Sequence, residues 1–482
     1  MYVLLTCSFL ARVPVQVASG GESAMELKHL PPGLGFGLRQ IASWLRLGFG
    51  IRARSWFLMR NSLQSILCFC QPSESKLNKT KHPSSGKLAK SSLPGHLYRR
   101  FSLYEIRAAT NNFDSGLILG KGGSGVVYKG FFDDGASVHA IKRLMPGSST
   151  HKMLEDFRNE VELLCQLQHQ HLVSLIGFCD EEDENIIVLG YMNRGSLFHH
   201  LHGTRHDPLT WKKRLEICIG VARGLHYLHA GAKRAVIHRD IKTRNILLDD
   251  QKVAVIADFT LSKIGPFSLS NAPIRIELPP LNEIEMETSH TRIFGTLGYL
   301  APELFFETTL VTDKSDVYSF GVVLFEVLSG RKSVKFDAGN DDHRHIIPWA
   351  NEHIKNGSFY QIIDPCLKGK IAPSCLEKFL EIALSCVHVR EHKRPALGEV
   401  EATLELALEL QNRADSEMES LNPHGEVMYE EVVVSASAFN FSDYEADVFW
   451  PQGSSRLDSF RVEDSFSGKT EDTESDIEGF YI

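Results

Sequence analysis

The chain has 482 residues, 43% of them hydrophobic and 23% charged, ordinary values for a globular protein and enough length for a two-lobed core with extensions. The net charge of −8 argues against a general nucleic-acid binder. The nine cysteines are scattered, with no Cys-x-x-Cys pair, so neither a zinc module nor a disulfide framework is expected.

Residues 1–98 read as a non-catalytic, largely disordered leader that ends in the Ser- and Lys-rich linker "SESKLNKTKHPSSGKLAKSSLPGH". No run of about 18 uncharged apolar residues occurs. The segment "SWLRLGFGIRARSWFLMR" mixes aromatic and aliphatic residues with Arg, a composition suited to an anionic membrane surface. Order begins at "RRFSLYEIRAATNNF", where Leu103, Ile106, Ala109 and Phe113 have the spacing of a short amphipathic helix. Strand-like runs follow in "LILGKG", "SGVVYKGFF" and "SVHAIKRL". A helix over "MLEDFRNEVELLCQLQ" and two strands, "LVSLIGFC" and "NIIVLGYM", complete a small β-rich lobe that ends near residue 192. From about 193 the pattern turns helical, with "WKKRLEICIGVARGLHYLHAG", "SDVYSFGVVLFEVLSG" and "CLEKFLEIALSCVHV". Gly231 is expected to cap the first of these. Residues 412–482 read as an acidic, disordered tail. The expectation is an α+β, bilobal fold over residues 99–411 with a cleft between the lobes.

Four motifs carry chemistry. Gly120, Gly122 and Gly125 form G-x-G-x-x-G, followed by Val127. Alone this also suits a dinucleotide site, but here a strand and Lys142 follow instead of a helix and an acid. Glycines would let backbone amides approach phosphates, and Lys142 would add a fixed positive charge. Glu160, on the next helix, is the candidate partner for Lys142. In "HRDIKTRN", Asp240 can accept the proton of an incoming hydroxyl, Lys242 can neutralise a transferring phosphoryl group, and Asn245 can hold magnesium. In "ADFT", Asp258 is a second magnesium ligand. "GTLGYLAPE" ends in Glu303, for which Arg394 is the expected ion-pair partner.

On these residues, about 100–410 resemble a eukaryotic protein kinase domain, and more narrowly the FERONIA-like plant receptor-like kinases. "RRFSLYEIRAATNNF", "LVSLIGFCDEEDE", "KRAVIHRDIKTRNILLDD" and "DKSDVYSFGVVLFEVL" carry the resemblance. It implies ATP and Mg²⁺ as cofactors, and phosphoryl transfer to Ser or Thr of protein substrates. Adenine would lie between Leu119, Val127 and Ala140 above and Leu247 below, with Gly190, Tyr191 and Met192 as the hinge. Gly190 stands where a glutamate is usual. Thr296 matches the position that shapes the acceptor pocket. Thr291 and Thr296 are the candidate phosphosites, with Arg239 as the partner for an activating phosphate. "RIELPPLNEIEMETSH" looks like an insertion and is expected to be surface loop. The family's ectodomain and membrane span have no counterpart here, which points to a cytoplasmic form. Membrane-bound receptor kinases are its expected partners. Acylation of Cys68 and Cys70 would add a peripheral contact with the plasma membrane.

Thr260 departs from the family, which has glycine after Asp-Phe. If that position needs positive φ, threonine would cost about 1–3 kcal/mol, and restoring glycine should leave activity equal or higher. Two functions follow from this point: an active serine/threonine kinase, or a pseudokinase scaffold that binds nucleotide and partner kinases.

Overall fold

The computed structural model describes residues 98–122, 125–144, 151–204, 207–267, 275–277, 295–305, 310–335, 345–421 and 428–429. The chain opens with β1 (Arg99–Arg100) and α1 (Leu103–Ala109), then β2 (Ile118–Gly122), β3 (Gly125–Phe132) and β4 (Ser137–Arg143). Helix α2 (His151–Leu164) precedes β5 (Leu175–Cys179) and β6 (Ile186–Gly190). These six strands form one sheet in the order β1-β5-β6-β4-β3-β2, the small lobe.

Segment 98–113 covers one face of that sheet. Ser102 caps α1 through a reciprocal pair of bonds with Glu105, satisfying two backbone amides that the helix start would leave bare. Phe101, Leu103, Ile106 and Ala109 then bury against Tyr128, Ile141, Cys179, Ile186 and Val188. This forms a core distinct from the main one. The expected helix is therefore present. The two-residue strand β1 before it was not expected; it pairs parallel with β5, Arg99 opposite Gly177. A Cβ on Gly177 would lie 2.1 Å from the Arg99 carbonyl oxygen, so only glycine admits β1 here.

The large lobe comprises α3 (Leu197–His202), α4 (Trp211–His226), β7 (Arg234–Ile237), β8 (Ile246–Leu248), β9 (Ala254–Ile256), β10 (Lys263–Phe267), β11 (Arg275–Glu277) and β12 (Leu310–Thr312). It continues with α5 (Asp313–Ser329), α6 (Ile346–Lys355), α7 (Phe359–Ile362), α8 (Pro373–Cys386) and α9 (Leu397–Leu421). Helix α5 is buried nearly throughout, as expected for an apolar run at the centre of a helical lobe. Among the described residues, no helix is long and apolar enough to cross a membrane.

Three expectations change. Gly231 does not cap α4: the helix passes into a π turn, Tyr227–Gly231, and leaves it at Ala232 in an extended conformation (φ −70°, ψ 156°). The inserted loop begins as strand β11, antiparallel to β12 with Arg275 opposite Thr312; the rest of the insertion lies outside the described residues. Helix α9 runs to Leu421, taking in the first ten residues of the expected tail. Gln411, 1% exposed, accepts from Ala372 N at 2.9 Å, and Asp415 accepts from Tyr429 Oη at 2.7 Å.

Candidate functional site

The β8–β9 hairpin sets the geometry. Ile246 pairs with Ile256, and Ala257 N donates to Asn245 O at 2.9 Å. The residues that flank these pairs, Asn245 and Asp258, are thereby brought together. Behind them, Asp316 at the start of α5 accepts from the backbone N–H of His238 and of Arg239, each at 2.8 Å. It also pairs with His229 Nε2 at 2.8 Å. These bonds hold Arg239 at φ 74°, a left-handed geometry that persists only where its surroundings over-determine it.

Asp240 is 7% exposed. Its Oδ1 accepts from Thr296 Oγ1 at 2.6 Å, and its Oδ2 lies 2.7 Å from Lys242 Nζ and 3.0 Å from Asn245 Nδ2. Lys242 also donates to Thr296 Oγ1 at 2.9 Å. Asn245 Nδ2 donates to the Asp240 carbonyl at 2.9 Å as well, so the Asn245 side-chain oxygen is the atom left to meet a cation.

The second cluster surrounds Lys142, 1% exposed on β4. Its ammonium donates to both Glu160 oxygens at 2.9 and 3.0 Å, to Asp258 Oδ1 at 2.9 Å and to Thr260 Oγ1 at 2.7 Å. Burial acts to lower the Lys142 pKa, but Asp258 and Glu160 outweigh it and hold the ammonium above its ordinary value. Asp258 is held well below the usual carboxylate range: burial opposes this, and the charges of Lys142 and Lys242 with the Thr260 and Lys142 bonds override it. Glu160 moves upward, because burial raises it more than Lys142 lowers it.

A pocket lies beside these clusters, lined by Leu119, Ala140, Val173, Leu189, Gly190, Tyr191, Met192, Gly195, Leu247 and Ala257. Five of the residues expected around adenine are among them. Val127 is not; it packs into the main core at 2% exposure. Gly190, the first hinge residue, lines the pocket too, whereas Val173, Leu189, Gly195 and Ala257 were not anticipated, although Leu189 and Ala257 directly precede anticipated residues. In the glycine-rich hairpin, Gly120 pairs with Val127 and Gly122 with Gly125. Gly125 is required for a different reason from the one expected. It has φ +145°, and a Cβ there would sit 2.2 Å from the Arg143 carbonyl oxygen, so it is strand packing that excludes a side chain.

Glu303 and Arg394 form the expected pair, two parallel bonds of 2.7 Å each. Thr291, Cys68 and Cys70 lie outside the described residues. Thr260 overturns an expectation. It is absent from the residues at positive φ; Asp258 takes that conformation instead, at φ 64°. The condition under which threonine would be strained is therefore not met, and with it goes the argument that glycine would be neutral or better.

No group of three or more His, Cys, Asp or Glu suited to a metal occurs among the described residues. One carboxylate and one amide oxygen, completed by phosphates, is instead the donor set that suits magnesium.

Comparison with known proteins agrees with this geometry. The chain is 47% identical over 325 residues to the receptor-like protein kinase FERONIA of Arabidopsis thaliana, covering 67% of this chain and 34% of that protein. It is 47% identical over 342 residues to ANXUR2 and 46% over 324 residues to THESEUS 1 of the same plant, covering 70% and 67% of this chain. It thus spans about a third of the length of these relatives, 34% to 37%. The family profile described as protein tyrosine and serine/threonine kinase matches residues 114–404, the stretch that holds both charged clusters and the pocket, and the chain belongs to that family.

Proposed function

We propose that this chain is an ATP- and Mg²⁺-dependent serine/threonine protein kinase. The observation that carries the reading is the Asp240 carboxylate, held by Thr296, Lys242 and Asn245 one hairpin away from Asp258. Asp240 orients an acceptor hydroxyl and takes its proton. Lys242 offsets charge on the transferring phosphoryl oxygens. Thr296 donates to Asp240 and accepts from Lys242, which fixes the spacing between base and cation. Lys142, aligned by Glu160, grips the nucleotide phosphates, and the pocket at Tyr191 and Met192 receives the base. Asn245 and Asp258 would hold magnesium, which when bound neutralises charge between the phosphates.

The scaffold alternative rested on Thr260 in place of glycine, and Thr260 does not take the positive φ that would penalise a threonine. Incubation of the full chain with Mg²⁺ and labelled ATP tests the reading. Wild type should label itself on Ser or Thr, and Asp240→Asn should lower the rate by about 10²–10⁴-fold. Equal silence in both proteins, with ATP still raising the melting temperature, would favour the scaffold. Protein substrates accompany this activity, and receptor kinases at the membrane are the proposed partners. A membrane contact through Cys68 and Cys70 belongs to the same reading. Acyl-exchange labelling should detect lipid on the full chain and lose it in the Cys68→Ser/Cys70→Ser double variant.

A further inference from the structure

The Thr260 hydroxyl lies among all three charged groups of the Lys142 cluster. It is 2.7 Å from Lys142 Nζ, 2.7 Å from Asp258 Oδ1 and 3.1 Å from Glu160 Oε2. A hydroxyl has one proton and two lone pairs, and an ammonium has three protons and no acceptor. Lys142 therefore donates to Thr260, and the hydroxyl proton goes to a carboxylate. Asp258 is the nearer, with Glu160 close enough to share it. The three protons of Lys142 are then matched by Glu160, Asp258 and Thr260. Glycine at this position would leave one ammonium proton and one Asp258 lone pair without these partners in a site where Lys142 is 1% exposed, a costly arrangement.

We infer that Thr260 is a positioning residue. Its hydroxyl fixes the Asp258 carboxylate and ties the metal-binding loop to Glu160 on α2, so that loop and helix are held together before nucleotide arrives. Asp258 carries the left-handed φ of 64°, and a bond from its own loop to its carboxylate is the kind of constraint that maintains such a conformation. Glu160 is 100 residues from Thr260 in the chain and Lys142 is 118 residues away, so one hydroxyl joins three separate elements. The catalytic meaning of this link rests on the kinase reading; the link itself does not.

The test uses the full chain and three variants. Thr260→Ser keeps the hydroxyl, Thr260→Val keeps the shape without it, and Thr260→Gly removes both. The first measurement is amide hydrogen exchange at residues 257–262 and in α2, without nucleotide or metal. Valine and glycine should speed exchange there by about tenfold, serine should restore the wild-type pattern, and α5 should be unchanged in every variant as a check on folding. The second measurement is the Mg²⁺ concentration that gives half-maximal autophosphorylation. It should rise about tenfold for valine and glycine and return with serine. Wild-type exchange in Thr260→Val, or serine behaving like valine, would overturn the inference. The expected exchange pattern in a protein that labels nothing would support the link and sink the kinase reading alone.

Discussion

At the scale of single residues, Thr296 is the most exposed to test. Its hydroxyl stands between Asp240 and Lys242. Thr296→Val should lower turnover by about 10–100-fold, while Thr296→Ser should stay close to wild type, both read from initial rates of ATP turnover. As a phosphosite, Thr296 would carry its phosphate on an oxygen that now lies 2.6 Å from the Asp240 carboxylate, so Thr296→Asp should be inactive, a shut-off rather than an activation. That Lys142, Glu160, Asp240, Lys242, Asn245 and Asp258 gather into two clusters was legible in the sequence, because the motifs expected to carry chemistry hold them at set spacings. The role of Thr260 was not. A sequence shows that a hydroxyl is present, but not that it faces a lysine 118 residues away.

Elements extend the same contrast. Ile106 is fully buried against the outer face of the small-lobe sheet. Ile106→Ala should cost about 2–4 kcal/mol, measured as a fall in the urea midpoint. Arg394 is buried and makes two bonds to Glu303, with further bonds to the carbonyls of His388 and Lys314. Arg394→Ala should destabilise by about 3–5 kcal/mol, because it leaves the Glu303 charge without its cation. Long amphipathic helices such as α2, and the long buried α5, were readable from their periodicity. The two-residue strand β1 was not, since two residues carry no period. The end of α9 was misread because its surface is polar. It is held by a few specific bonds, Gln411 to Ala372 and Asp415 to Tyr429 and Lys212, beside Ala414, the apolar residue of this stretch that packs on the main core.

For the whole molecule, acid sensitivity arises from imidazoles that folding partly or fully removes from water. His171 is 5% exposed, and burial lowers its pKa despite a bond to the Ala254 carbonyl. Burial lowers His139 and His169 in the same direction. Between these lowered values and about 6.5, the unfolded chain binds more protons than the folded one. Stability should therefore rise with pH across that window and fall as pH drops below about 6.5. Urea titrations at pH 7.5 and 5.5 should show the loss, and His171→Gln should reduce the difference. Asp316 acts at lower pH: its folded pKa is depressed, burial being outweighed by the His229 bond and charge, so its contribution is complete above about pH 4 and is lost as pH falls from there through the lowered folded value. Strand β1 forms one edge of the six-stranded sheet, and the glycine-rich strand β2 forms the other. The chain enters the small lobe at Arg99, with four strands between that point and the strand that would cover the phosphates. A pull on the leader would meet the two-residue β1–β5 pairing, at the sheet edge opposite the glycine-rich strand, before any longer strand pairing.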